Sequence, residues 1–139
     1  MANELATEYE IHWSDTAKRK VKNLGKGDKK QVFGILSEFL AGGYPAIDSL
    51  TYNGVKVRNK PSWDVDKNDP EFLKKVTFAK NNNLWHIHAG FHGGYSVSPK
   101  GDLVSQFVMH YQRQDDNIFR FADLTPHPPF SLPSESDLT

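Results

Sequence analysis

Leu84-Trp85-His86-Ile87-His88-Ala89-Gly90-Phe91 is the stretch around which the rest of the chain is arranged. Read with period 2 it is a strand, with His86 and His88 on one face and Trp85, Ile87 and Ala89 on the other. Side chains two residues apart on a strand stand roughly 7 Å apart and point the same way. That spacing serves two catalytic groups, two metal ligands, or a solvated polar face.

Downstream, His92 to Asp102 is rich in Gly and Ser and reads as a long connection. Leu103 to Arg113 is a further strand, with Phe107, Met109 and Tyr111 facing one way and Val108, His110 and Gln112 the other. Gln114 to Asn117 turns the chain into a last strand, Ile118 to Leu124, and Pro126, Pro128, Pro129 and Pro133 then end regular structure. Upstream, the alternation Lys75-Val76-Thr77-Phe78-Ala79-Lys80 predicts a strand, joined through Asn81-Asn82-Asn83 to the histidine strand as a hairpin. Residues 44 to 70 are loop-rich, with a short edge strand over Val55 to Arg58. Asp64, Asp66, Asn68 and Asp69 lack the Gly and the closing Glu of a calcium loop and read as a solvated acidic segment.

The first third is helical. Tyr9 to Trp13 is a short extended piece. Ser14 caps a helix whose apolar stripe is Ala17, Val21 and Leu24 and whose outer face is basic. After Gly25 to Gly27, Asp28 is expected to cap a second helix, with Gln31 three residues on. Val32, Ile35, Leu36, Phe39 and Leu40 give it the strongest periodic signal in the chain, and Gly42-Gly43 ends it. The expectation is α+β: an N-terminal helical hairpin packed on a mainly antiparallel sheet of four to five strands. Residues 1–130 form one domain, and 131–139 a polar, disordered tail.

The chain has 139 residues, with 17 basic and 17 acidic side chains and no cysteine. Disulfides and thiolate zinc sites are excluded. Neutral charge argues against a general nucleic-acid binder, although residues 18 to 30 carry seven Lys or Arg against one Asp. No apolar run has the length of a signal or transmembrane segment, so the expectation is a soluble, cytoplasmic protein.

Five of the six histidines, His86, His88, His92, His110 and His127, lie in the second half. A His-x-His pair with His92 or His110 supplies three nitrogen ligands for a metal. Yet no Asp or Glu occurs between Glu71 and Asp102 to join them. The acid–base use needs histidines beside cations, and Lys74, Lys75, Lys80, Arg113 and Arg120 are at hand. Such a face suits a phosphodiester: cations hold the phosphate and histidines move protons. With RNA the 2′-hydroxyl is the nucleophile, so neither metal nor cofactor is needed. A solvated face of ordinary histidines explains the same pattern. The lysines of the first helix read as a solvated face or as RNA-phosphate contacts. Trp13, Trp63, Trp85, Phe107 and Phe121 read as core, and Tyr95, in the Gly-rich connection, as a residue able to reach a base.

The opening Tyr-Glu-Ile-His-Trp-Ser-Asp-Thr-Ala-Lys-Arg-Lys with its second amphipathic helix resembles the start of RelE/ParE-superfamily toxins. The later half is similar to the YafO branch of bacterial toxin–antitoxin systems: Phe72 to Lys80, His86-Ile87-His88, Phe107 to Tyr111, Ile118 to Leu124, then Pro126-His127-Pro128. The resemblance covers about residues 9 to 130. It implies a RelE-like fold, cleavage of mRNA on the ribosome, and inhibition by a cognate antitoxin. His86 and His88 match the family's pair as general acid and base, and His127 falls in its closing turn. Lys80, Arg113 and Arg120 enter on charge alone, as phosphate-holding residues. Two alternatives stand beside it: a non-catalytic binding module using the same sheet face, and a small metal enzyme using His86, His88 and His92.

Overall fold

A computed structural model describes residues 8–91, 94–126 and 131–138. The chain opens with β1 (Glu10–Trp13), α1 (Asp15–Lys22) and α2 (Lys26–Asp48). Then come the short strands β2 (Thr51–Tyr52), β3 (Val55–Lys56) and β4 (Asn59–Pro61), followed by α3 (Phe72–Asn81) and β5 (Leu84–His88). A small pair, β6 (Ser96–Val97) and β7 (Leu103–Val104), precedes β8 (Phe107–Gln112) and β9 (Ile118–Pro126), and a 3-10 turn covers Glu135–Leu138. Over the described residues the fold is α+β, with three α-helices and a mainly antiparallel five-stranded sheet ordered β1-β9-β8-β5-β4. Within this sheet β1 and β9 run parallel and the other neighbours antiparallel. No helix among the described residues is long and apolar enough to cross a membrane.

Ser14 starts α1 as expected. Its hydroxyl accepts from the Ala17 amide at 2.9 Å and donates to the Ala122 carbonyl at 2.5 Å, so the cap also ties the helix to β9. α2 begins earlier than the sequence reading had it: Gly25, not Asp28, is the N-cap. Gly43 interrupts the helix at φ 68°, ψ −157°, a conformation open in practice to glycine alone, and a last turn continues to Asp48. A Cβ there would meet the Tyr9 ring at 2.6 Å.

The strand expected over residues 75–80 is a helix. Phe72, Val76 and Ala79 fall at i, i+4, i+7, a spacing the same residues offer beside their alternation. Ala79 is buried against Leu84, Ala122 and Leu138, with Trp63, Phe78 and Leu132 packed around them. Burial of that small face under tertiary contact favours the helix over the local β preference.

The sheet therefore has two covered faces. On one, Ala17, Val21, Val32, Ile35, Leu36 and Phe39 of the N-terminal helices pack on Ile87, Met109, Tyr111, Phe119 and Phe121. Fully burying each large side chain contributes about 1.5–3 kcal/mol. On the other lie α3 and the closing residues. The expected disordered tail is corrected over 131–138: Leu138 is buried in the second cluster, and Asp137 accepts from the Thr16 hydroxyl at 2.6 Å. Two apolar anchors and a buried carboxylate outweigh the polar composition. Thr139 lies outside the described residues.

Candidate functional site

The register of β5 and β8 sets His86 directly opposite His110, with Leu84 opposite Gln112 and His88 opposite Val108. Strand alternation puts His86, His88 and His110 on the face that α3 and the closing residues cover. The ring centroids of His86 and His88 are 6.3 Å apart, and those of His86 and His110 are 6.1 Å apart. The sequence alternation left this face open to either a groove or water. Instead the three side chains are buried, at 1 %, 3 % and 0 % exposure.

Each imidazole is held by a neighbour of different kind. The Ser62 hydroxyl stands 2.9 Å from Nδ1 of His86. The Thr125 hydroxyl stands 2.7 Å from Nε2 of His110. For His88 the partner is backbone: the Ser105 amide donates to Nδ1 at 2.8 Å. The Ser105 carbonyl is also 3.0 Å from Nδ1, so this one nitrogen faces a donor that needs it bare and an acceptor that needs it protonated. A β-bulge between His110 and Tyr111 shifts the β8–β9 register and brings His110 within reach of Thr125.

The three cations expected to hold phosphate stand in different places. Arg120 lies opposite Gln112 on β9, one row from His110 on the histidine face, and its buried Nε has no hydrogen-bond partner among the described residues. Lys80 is exposed on α3. Arg113 belongs to the opposite face. Its guanidinium lies 3.7 Å over the Trp85 ring and 4.4 Å over Tyr44, pairs with Asp48 at 2.5 Å and donates to the Tyr111 hydroxyl at 2.9 Å. Burial opposes that charge, but the Asp48 carboxylate and Tyr111 outweigh it and leave the Arg113 pKa above its ordinary value. His92 and His127 lie outside the described residues; His127 directly follows Pro126, the end of β9.

Tyr95, read as able to reach a base, packs inward. Its hydroxyl donates to the His88 carbonyl at 3.0 Å, its ring covers Gly90, and burial pushes its pKa up to about 12. Among the described residues no three His, Asp or Glu side chains converge as a metal-holding set. Three residues that orient the imidazoles, Ser62, Ser105 and Thr125, were not legible in the sequence. They come from a bend, a loop and a strand far from residues 86–88, and only strand register brings them near. In comparisons with protein-family models, curated proteins and solved structures, nothing matches this chain.

Proposed function

We propose that this protein is a YafO-like toxin of a toxin–antitoxin system, a metal-independent endoribonuclease that cleaves mRNA on the ribosome. On this reading the fold is RelE-like, α1 and α2 are its N-terminal helical hairpin, and the protein works in the cytoplasm until a cognate antitoxin blocks it. One observation carries it: His86, His88 and His110 cluster on one sheet face with ring centroids 6.1 and 6.3 Å apart. Paired imidazoles are the side chains able to move two protons near neutral pH without a metal.

The chemistry asks for two roles. A base takes the proton of the 2′-hydroxyl as its oxygen attacks the adjacent phosphorus, and an acid returns a proton to the departing 5′-oxygen. His86 and His88 fill these roles as a pair, one neutral as the base and the other, as the imidazolium, the acid. Arg120, on the same face, is the nearest match for a group that holds phosphate, with Lys80 at the rim of α3.

The burial of the three imidazoles favours a second reading, a RelE-like binding module without catalysis. Induced expression separates the two. On the first, the wild type arrests translation and growth, and the His86→Gln/His88→Gln variant, its folding checked by circular dichroism, does not. Arrest that persists in the folded double variant removes these histidines from the mechanism. Harmless wild-type expression with a stable partner complex leaves the binding module.

A further inference from the structure

Beside the histidine strand, at the sheet edge, lies a polar pocket of about 170 Å³ lined by Lys56, Arg58, Asn59, Lys60, Asp64, Lys100 and Asp102. Segments distant in sequence build it. Asn53 and Gly54, both at positive φ, turn the β2–β3 hairpin that ends in Lys56. The following residue, Val57, bridges to Leu103, and the Arg58 amide donates to the Leu103 carbonyl at 2.8 Å. The turn over Ser98 to Gly101, closed by the Gly101 amide on the Ser98 carbonyl at 2.9 Å, carries Lys100 to the same place.

The charges do not balance. Arg58 grips Asp102 through Nε at 2.8 Å and through its second nitrogen at 2.9 Å, and Lys60 meets Asp64 at 3.1 Å. Both carboxylates are thereby spent. Lys56 and Lys100 line the same pocket with no carboxylate partner among the described residues, a surplus of two positive charges. With its two carboxylates engaged, a concave surface lined by two further lysines carries a positive potential that suits an anion.

We infer that this pocket is a phosphate-binding site, in which Lys56 and Lys100 take the phosphate oxygens while the Arg58–Asp102 pair fixes the wall. The phosphate comes from a single-stranded RNA backbone or from a free phosphate. Its position speaks for the chain: Lys60 stands in register with His86, and the His88 amide donates to the Arg58 carbonyl at 3.0 Å, so the pocket borders the histidine strand. Binding here does not depend on cleavage, so the site is tested apart from the proposed activity.

The probes are fluorescein-labelled 2′-O-methyl decauridylate, which lacks the reactive hydroxyl, and inorganic phosphate. Both are titrated into the full chain with anisotropy and amide NMR shifts as readouts. Expected are shifts centred on Lys56, Arg58, Lys60 and Lys100. Lys56→Ala/Lys100→Ala weakens oligonucleotide binding about tenfold and reduces the salt slope by about 1.4, the release expected for two single-strand phosphate contacts. Phosphate shifts without oligonucleotide binding assign the site to a free phosphate. The inference falls if neither probe moves these amides, or if Lys18→Ala/Lys22→Ala on α1 costs as much as the pocket pair. Loss of binding in the pocket variant with no toxicity in the wild type would keep the site and remove the toxin reading.

Discussion

The Ser105 amide donates to Nδ1 of His88 at 2.8 Å, a closer approach than the 3.0 Å of the Ser105 carbonyl to the same nitrogen. Long-range proton–nitrogen NMR is expected to report Nε2 of His88 as the protonated nitrogen and Nδ1 as the bare acceptor. A proton found on Nδ1 would make the Ser105 carbonyl, not the amide, its hydrogen-bond partner. Replacing Ser105 by Pro removes the amide hydrogen, leaves the carbonyl, and is expected to move the ring toward the Nδ1–H tautomer.

Arg113 is a structural cation. It sits across Trp85 and Tyr44 with only 14 % of its side chain exposed, while its partner Asp48 is half-exposed and the ion pair correspondingly weak. Arg113→Ala is expected to lower unfolding free energy by about 1–3 kcal/mol, mostly from lost ring contacts. Arg113→Lys restores little of it, because a flat guanidinium is what stacks. Urea denaturation reads this directly. An unchanged midpoint together with lost RNA affinity would return Arg113 to the substrate.

The Arg58 hydrogen bond, helped by the Ser98 hydroxyl, draws the Asp102 pKa down to about 2, against the opposing effect of burial. The folded-state pKa is depressed, so this stabilisation is fully present above the unfolded value near 4. It is lost as pH falls from there through about 2. Melting temperatures followed from pH 5 to pH 2 are expected to record a loss of about 1–2 kcal/mol from this group, since a quarter of the carboxylate side chain remains in water. In Arg58→Ala the Asp102 contribution to that slope disappears; an identical acid profile in the variant would sink the assignment.

Gly43→Ala is expected to destabilise the fold by about 1–3 kcal/mol or more, since a side chain is strained at this φ and ψ and its Cβ meets the Tyr9 ring. Tyr9→Ala combined with Gly43→Ala separates the two causes: it relieves the collision and leaves the backbone strain. A chemical-denaturation midpoint unaltered in the single variant would show that the kink carries no strain.

The elements with one dominant signal were readable from sequence. β1, β5, β8 and β9 follow their alternation, and Ser14 with Ala17 and Val21 announces α1. Residues 72–81 were ambiguous because Val76 and Phe78 satisfy a strand while Phe72, Val76 and Ala79 satisfy a helix; contact with Leu84 and Ala122 favours the second. The histidine pair was visible, but its burial was not, since burial depends on α3 and on Leu138 folding back. His110 joins His86 through strand register, and Lys56 and Lys100 come to line one pocket through the Val57–Leu103 bridge. Contacts between distant residues carry no local periodicity for a sequence reading to detect.

The parallel pairing of β1 with β9 gives the protein a clock. Glu10 waits for Ile118 and Trp13 for Phe121, so β1 takes its place in the sheet beside a strand made much later in the same chain. Contacts of such sequence separation form late, after the entropy of closing the long intervening loop has been met. The Ser14 cap waits as well, because its acceptor is the Ala122 carbonyl. A nascent chain halted anywhere before β9 carries His86 and His88 without Thr125, without the bulge that positions His110, and without a completed sheet beneath them. Whatever the histidine face does, the chain does it only after β9 has been made.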